Sequence, residues 1–328
     1  MAVAPPAGIP AGIPAGLIVT GPTASGKSAL ALALARRYAG TVINADAMQL
    51  YRDLHILTAR PSAADAAAVP HVLYGVRPVT PPATAAWWRD AALAEMHAAH
   101  AAGRVPILCG GSGMYLTALV DGLAPISDPG PAARAEARAL LAALGPAALH
   151  ARLAEADPAT AATLRPSDSQ RLARAWEVWR GTGRGLVAWH AAPAVPPAWR
   201  FAAIRLDPPR AELRDAAAAR FHAMLADGAL EEVRALLGRG FPPDAPLLRA
   251  HGVPELGAHL RGATSLDAAA AAAIAATLRY VKRQVTWFRH HNLAPEADTH
   301  MIHARFTGQT QFSESFLSQI DRFLRPSA

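Results

Sequence analysis

The chain has 328 residues, 52% of them hydrophobic, with one cysteine and a formal net charge of +7. That much apolar material excludes a disordered chain and can bury a core in one large domain or two. The lone Cys109 excludes an intramolecular disulfide and a cysteine-rich zinc site, so a reducing compartment, most simply the cytoplasm, is expected. The excess of 32 Lys+Arg over 25 Asp+Glu adds a polyanion to the candidate partners without establishing one.

Residues 1–16 are apolar but lack a positively charged start and are broken by Pro5, Pro6, Pro10 and Pro14, so a disordered leader is expected and not a signal peptide. "LIVT" (17–20) then reads as a strand, "GPTASGKS" (21–28) as a glycine-rich loop, and "SALALALARRY" (28–38) as a helix. Further strands are read in "GTVIN" (40–44), "RVPILC" (104–109) and "RFAAIRL" (200–206). Strands alternating with helices imply a parallel sheet, whose ligands gather beyond the carboxyl ends of the strands, so Ser28, Asp46 and Ser112 are expected on one rim.

Between these strands, from about residue 131 to 197, the chain is helical, rich in arginine and without a core strand, which marks an insertion. Near the end, "AAIAATLRYVKRQVTWFRHH" (272–291) is amphipathic. Ile274, Leu278, Val281, Val285 and Phe288 fall on one face, and Arg279, Lys282, Arg283 and Arg289 on another. The alanine run 268–273 is too short to cross a membrane, and no membrane partner is expected.

The expected fold class is therefore α/β, a P-loop NTPase-like parallel sheet flanked by helices with an inserted all-helical domain. Its parts are the leader 1–16, a catalytic core over 17–126 and 198–294, an inserted domain over 127–197, and a C-terminal tail over 295–328. A monomer is the working expectation.

The chemistry starts at the loop. Gly21, Gly26, Lys27 and Ser28 satisfy G-x-x-x-x-G-K-[ST] between a strand and a helix. In such a loop the backbone N–H groups of residues 21–28 (Gly21, Pro22, Thr23, Ala24, Ser25, Gly26, Lys27 and Ser28, proline contributing none) and the helix N-terminus meet the oxygens of a diphosphate or nucleotide. Lys27 adds a charge, and the Ser28 hydroxyl reaches Mg²⁺. Asp46, just past a strand end, is placed either to hold Mg²⁺ or to accept a proton. "CGGSGMYL" (109–116) repeats the glycine-rich turn; Ser112 donates to a phosphate there, or the segment is a plain turn. Cys109 reads as a buried hydrophobe. In "SDSQRLARAWEVWRGTGR" (167–184), Arg171 and Arg174 are one helical turn apart with Leu172, Trp176 and Trp179 on the opposing stripe, either a core stripe with a solvated face or, with the Arg279 helix and Trp287, Phe288, His290 and His291, a polyanion surface.

As a set these motifs resemble the tRNA dimethylallyltransferases, also called tRNA isopentenyltransferases. The match runs through "GPTASGKS", "NADAMQLYRDLHILTARP" (44–61), "CGGSGMYLTALVDGL" (109–123), "SQRLARAWEVWRGTGR", "LADGALEEVRALL" (225–237), "RAHGVPEL" (249–256) and "TLRYVKRQVTWFRHH" (277–291), in the family's order. The resemblance implies Mg²⁺-dependent transfer of a dimethylallyl group from dimethylallyl diphosphate to N6 of the adenosine immediately 3′ of the anticodon. It also implies Asp46 as general base, diphosphate binding by Thr23 to Ser28, and Ser112 and Arg134 near the reacting centre and the tRNA. Contacts to the anticodon stem-loop are implied for Asp46, Ala47, Met48, Gln49, Gln170, Arg171, Leu172, Ala173, Arg174, Arg249 and the segment to Pro254, and Arg279, Lys282 and Arg283. The chain departs from the family pattern at Ala47, Leu57 and Ser112 and in "HGVPE" (251–255).

Three rival readings share parts of this pattern. A P-loop small-molecule kinase would need a clear nucleoside-triphosphate site and leaves the Arg/Trp-rich insertion without a role. A nucleic-acid-dependent ATPase would hydrolyse ATP in response to RNA. A transferase acting on free adenine nucleotides would need no anticodon-binding insertion.

Overall fold

The structure is a computed structural model that describes residues 13–308 and 313–324. The expected leader falls, for residues 1–12, outside the described residues, whereas Ala15 and Gly16 already belong to the first strand.

Among the described residues six strands form one sheet: β1 (Ala15–Thr20), β2 (Thr41–Asn44), β3 (His71–Val72), β4 (Pro106–Gly110), β5 (Arg200–Leu206) and β6 (Thr299–Ile302). Their order is β3-β2-β4-β1-β5-β6, and every neighbouring pair is parallel. Strand periodicity divides β1 between two cores. Leu17 and Val19 pack on one side with Leu30 and Leu34 of α1 (Lys27–Arg37), and Ile18 packs on the other with Trp88 and Met96.

In chain order α2 (Ala63–Ala68) is followed by α3 (Ala85–Ala101), which carries Trp88 and Met96, and α4 (Gly113–Val120). Helices α5 (Gly130–Ala156), α6 (Pro158–Ala161), α7 (Ser169–Thr182) and α8 (Leu186–His190) precede β5. After it come α9 (Arg210–Ala226), α10 (Ala229–Gly238), α11 (Val253–Leu260), α12 (Leu266–Arg289) and α13 (Glu314–Leu324). A third core joins Tyr51 and Leu54 to Phe221 of α9, Val233 of α10, Leu256 of α11 and Ala273 of α12.

The chain divides into two compact units, residues 1–120 with 197–328, and residues 121–196. The second contains helices and no strand, with a core of Ala137, Leu149 and Leu153 from α5 and Leu172, Ala175 and Trp176 from α7. Gly145, at φ 75°, breaks α5 just before Pro146, which lacks the N–H that an unbroken helix would need.

One expectation is corrected. Residues 295–328, read as a tail, include β6, which pairs with β5, and α13. The cause is apolar burial: Phe306, Phe316, Ile320 and Phe323 lie in the same core as α1 and β1.

Candidate active site

Strands β2, β4 and β1 are neighbours, so the loops that follow them meet at one end of the sheet. Each loop contributes a different group.

The loop after β1 has the tight geometry its motif calls for. Gly26 sits at φ 90°, and a Cβ there would lie 2.1 Å from the Phe306 carbonyl oxygen, so no other residue fits. Ala24 is held at φ 69°, a left-handed conformation that costs a non-glycine residue about 1–2 kcal/mol. The Ser25 hydroxyl is buried without a hydrogen-bond partner, which in a native site calls for a ligand or water oxygen. Ser28, in the first turn of α1, is exposed. One predicted contact differs: the Thr23 N–H donates to Gln284 Oε1 at 2.9 Å and is spent inside the protein.

The loop after β2 carries Asp46 and is fixed from several sides. Asn44 Oδ1 accepts from the Asp46 N–H at 2.8 Å, and Asn44 Nδ2 donates to the Asp46 carbonyl at 3.0 Å. Asp46 Oδ1 accepts from the Met48 N–H at 2.9 Å. The loop after β4 ties in through Ser112, whose Oγ accepts from the Ala47 N–H at 2.9 Å and whose N–H donates to the Ala45 carbonyl at 3.2 Å. Gly110 is required here, because a Cβ would come within 2.1 Å of the Ala45 backbone. Gln49, expected at the tRNA, spends its Nε2 on the Thr58 and Ala59 carbonyls at 2.7 and 3.1 Å. Further along, Glu232 of α10 accepts the N–H groups of His55, Ile56 and Leu57, and Arg239 pairs with Asp53. Asp46 thus rides on a braced loop.

Asp46 is the shared neighbour of the site's titratable groups. Burial pulls Lys27 below its ordinary ammonium value, and the Asp46 carboxylate opposes that pull. Burial likewise lowers Arg220 of α9, again opposed by Asp46. Tyr280 of α12, Tyr115 and Tyr74 are pushed up, first by burial and then, among other charges, by Asp46. His251 is lowered chiefly by burial, against a raising influence from Glu255 and Asp46. Cys109, pushed up to about 11 by burial, is the inert hydrophobe expected of it.

Because an anion binds Lys27 in its charged form and the free-state value lies below 10.5, affinity should be flat below that lowered value and fall as pH rises through it. Calorimetric titration with inorganic diphosphate from neutral to alkaline pH should show up to about tenfold loss per pH unit relative to Lys27→Ala. A constant ratio between the two proteins would refute the assignment.

Arg279, Lys282 and Arg283 are exposed on α12, while Gln284 is buried. Gln284 Nε2 donates to the Gly111 carbonyl at 3.1 Å as its Oε1 holds Thr23, so one amide bridges the loops after β1 and β4. Arg249 is exposed and donates to the Asp244 carbonyl at 3.1 Å. Ala47 and Met48 flank Asp46, half-buried.

The remaining predicted residues lie in the second unit. Arg134 pairs with Asp128, Arg171 with Asp168, and Arg174 with Glu177. Gln170 is exposed and Ala173 half-buried. Leu172 is a correction: fully buried in this unit's core, its side chain has no surface to offer a tRNA.

Arg220 and Gln284 were absent from the sequence-derived site, yet each carries a signal. Arg220 follows buried Leu213 and Ala217 by seven and three residues, and Gln284 stands three after Val281 and four before Phe288. Both are polar residues on an apolar helical stripe, which a core tolerates only with partners.

A parallel sheet with a P-loop sequence motif after β1, a serine turn after its neighbour β4, and a braced carboxylate after β2 on the far side of β4 defines a protein of P-loop-like fold. Comparison narrows the class. The family model for IPP transferase matches residues 49–291. A tRNA dimethylallyltransferase of Acidiphilium cryptum is 64% identical over 95% of each chain. The full-length tRNA isopentenylpyrophosphate transferase of Bacillus halodurans superposes with a TM-score of 0.66 at 29% identity, over 94% of this chain and 96% of that one. A eukaryotic dimethylallyltransferase acting on tRNA, at 23% identity, shares the fold with a TM-score of 0.80 over 95% of this chain and 80% of its own. The chain belongs to the tRNA dimethylallyltransferase family, and is an enzyme of the prenyltransferase kind.

Proposed function

We propose that this enzyme transfers the dimethylallyl group of dimethylallyl diphosphate to N6 of the adenosine immediately 3′ of a tRNA anticodon, releasing diphosphate. The observation that carries the reading is that Asp46, after β2, and the phosphate loop, after β1, flank the Ser112 turn after β4 at one end of the sheet, with Lys27 electrostatically coupled to Asp46.

In the reaction the bond between the allylic carbon and diphosphate oxygen breaks, the N6–carbon bond forms, and the N6 proton leaves to Asp46. Adenine N6 is a poor nucleophile because its lone pair is delocalised, so a base acting as the bond forms is useful. Asp46 Oδ1 is oriented by the Met48 N–H, which aims the carboxylate. Lys27, the loop amides and the Ser25 hydroxyl meet the charge that grows on the leaving diphosphate. Arg220 supplies a further cation beside Asp46.

Among the described residues no cluster of three His, Cys, Asp or Glu side chains suits a metal. Oxygen donors such as a hydroxyl and ligand phosphate oxygens instead suit Mg²⁺. Ser28 would hold it with the diphosphate, leaving the Asp46 carboxylate free as the base, and it would supply neutralisation of the diphosphate. No helix among the described residues is long and apolar enough to cross a membrane.

A base must leave its stack before its N6 can react. The exposed cations of α12 in the first unit, and separately those of α7 in the second, each suit the phosphates of an RNA. Arg174→Ala and Arg283→Ala should each reduce the slope of log affinity against log salt by about 0.7–0.9 if each meets one phosphate. The exposed Arg174–Glu177 pair is too weak to prevent that exchange. Filter-binding titrations with unmodified tRNA measure it, and unchanged slopes in both variants return these arginines to an ordinary solvated surface. The activity itself is tested by incubating the protein with unmodified tRNA, Mg²⁺ and dimethylallyl diphosphate, digesting the RNA, and finding or failing to find prenylated adenosine by mass.

A further inference from the structure

The phosphate loop is held from behind by a segment of chain far away in sequence and outside the span matched by the family model. Arg305 Nε donates to the Ala24 carbonyl at 2.9 Å, and the Phe306 N–H donates to the Ser25 carbonyl at 3.0 Å. These are two successive peptides at the loop's most constrained point, where Ala24 sits at φ 69° and Gly26 has no room for a Cβ beside Phe306. A trans peptide directs its N–H opposite its carbonyl. Anchoring the Ser25 carbonyl to Phe306 therefore aims the Gly26 N–H away from that segment, toward the cradle. Anchoring the Ala24 carbonyl to Arg305 likewise supports the Ser25 N–H, which closes the loop on the Pro22 carbonyl at 3.2 Å.

The holding segment is itself secured on both sides. β6, just before it, pairs with β5 from Ala203↔Thr299 to Leu206↔Ile302. Beyond it, α13 buries Phe316, Ile320 and Phe323 in the core shared with Leu30 and Leu34 of α1. At the far end of α1 the Tyr38 hydroxyl donates to Asp321 Oδ1 at 2.8 Å. One stretch of chain thus touches the loop, the body and the end of the phosphate-binding helix. A left-handed alanine persists only where its surroundings over-determine it, and these contacts provide that constraint.

We infer that residues 305–306 are a latch that sets the diphosphate-binding shape of the loop, with Arg305 as a positioning residue for the prenyl donor. The inference rests on the reading of residues 21–28 as a diphosphate site. Its test uses the full chain and inorganic diphosphate. Arg305→Met, which keeps the aliphatic stem and removes the donor, should weaken diphosphate binding about tenfold, the size expected for one charge-assisted hydrogen bond. The same variant should raise KM for dimethylallyl diphosphate by a similar factor and leave KM for tRNA within about twofold. Arg305→Lys, which restores a donor, should recover most of both losses. A purely structural arginine would instead lower Tm without separating the two KM values. Wild-type diphosphate affinity in Arg305→Met, or an equal loss toward both substrates that Arg305→Lys does not rescue, would overturn the latch. Failure of the wild-type protein to bind diphosphate would overturn the loop assignment, and the latch with it.

Discussion

Asp46→Asn should lower turnover by about two to four orders of magnitude, the range of a positioned general base, and leave tRNA affinity nearly intact. The substitution is close to isosteric, and asparagine keeps an oxygen that can accept the Met48 N–H, now at 2.9 Å from Asp46 Oδ1. The backbone ties of residue 46 to Asn44, and of Ala47 to Ser112, do not involve the side chain at 46. The loop should therefore hold its place while its basicity is lost. Removing the charge also alters its neighbours: Lys27 and Arg220 lose the partner that offsets their burial, so their values should fall further. Single-turnover kinetics at saturating tRNA and dimethylallyl diphosphate isolate the chemical step from binding. Wild-type turnover in the variant would remove Asp46 from the mechanism.

The central strands were legible because a strand buried on both faces is an apolar run, as in "LIVT", "TVIN", "PILC" and "RFAAIRL". β3, with two half-buried residues, and β6, "THMI", lie at the sheet edges and carry too little apolar pattern to be distinguished. The phosphate loop was legible because its chemistry requires fixed residues at fixed spacing. Asp46 and Ser112 followed from strand ends alone, since adjacency of β2, β4 and β1 brings those loops together.

What escaped is of two kinds. Arg220 and Gln284 were readable in principle, as polar residues inside apolar stripes, but periodicity does not say what a buried polar group meets. Arg305 was not readable at all. Its contact is with a backbone carbonyl 281 positions away, and a carbonyl is common to every residue type, so nothing in the composition of either segment announces it.

Lys27→Ala should cut kcat with dimethylallyl diphosphate by about 10²–10³, the size seen when one donor to a developing anion is removed, and should also weaken donor binding. A lysine in such a loop recognises phosphate oxygens and is indifferent to what they are attached to, so the motif alone does not distinguish an allylic diphosphate from the tail of ATP. On the proposed reading, the rest of the rim draws the distinction. A diphosphate leaving group needs its carbon end directed at a base and an adenine, and the loop stands beside braced Asp46 and the Ser112 turn, bridged by Gln284. A γ-phosphoryl transfer could also use a carboxylate there, but would have no use for a tRNA-binding surface. Lys27 is costly to keep charged where it is, because burial lowers its value, and that cost is recovered best when the negative charge opposite is greatest, as the carbon–oxygen bond breaks. Loss should thus fall on kcat more than on tRNA binding. ATP should displace the radiolabelled allylic diphosphate poorly, and phosphate release from ATP should not respond to tRNA. Micromolar displacement by ATP with tRNA-stimulated phosphate release would instead assign the loop to nucleotide hydrolysis.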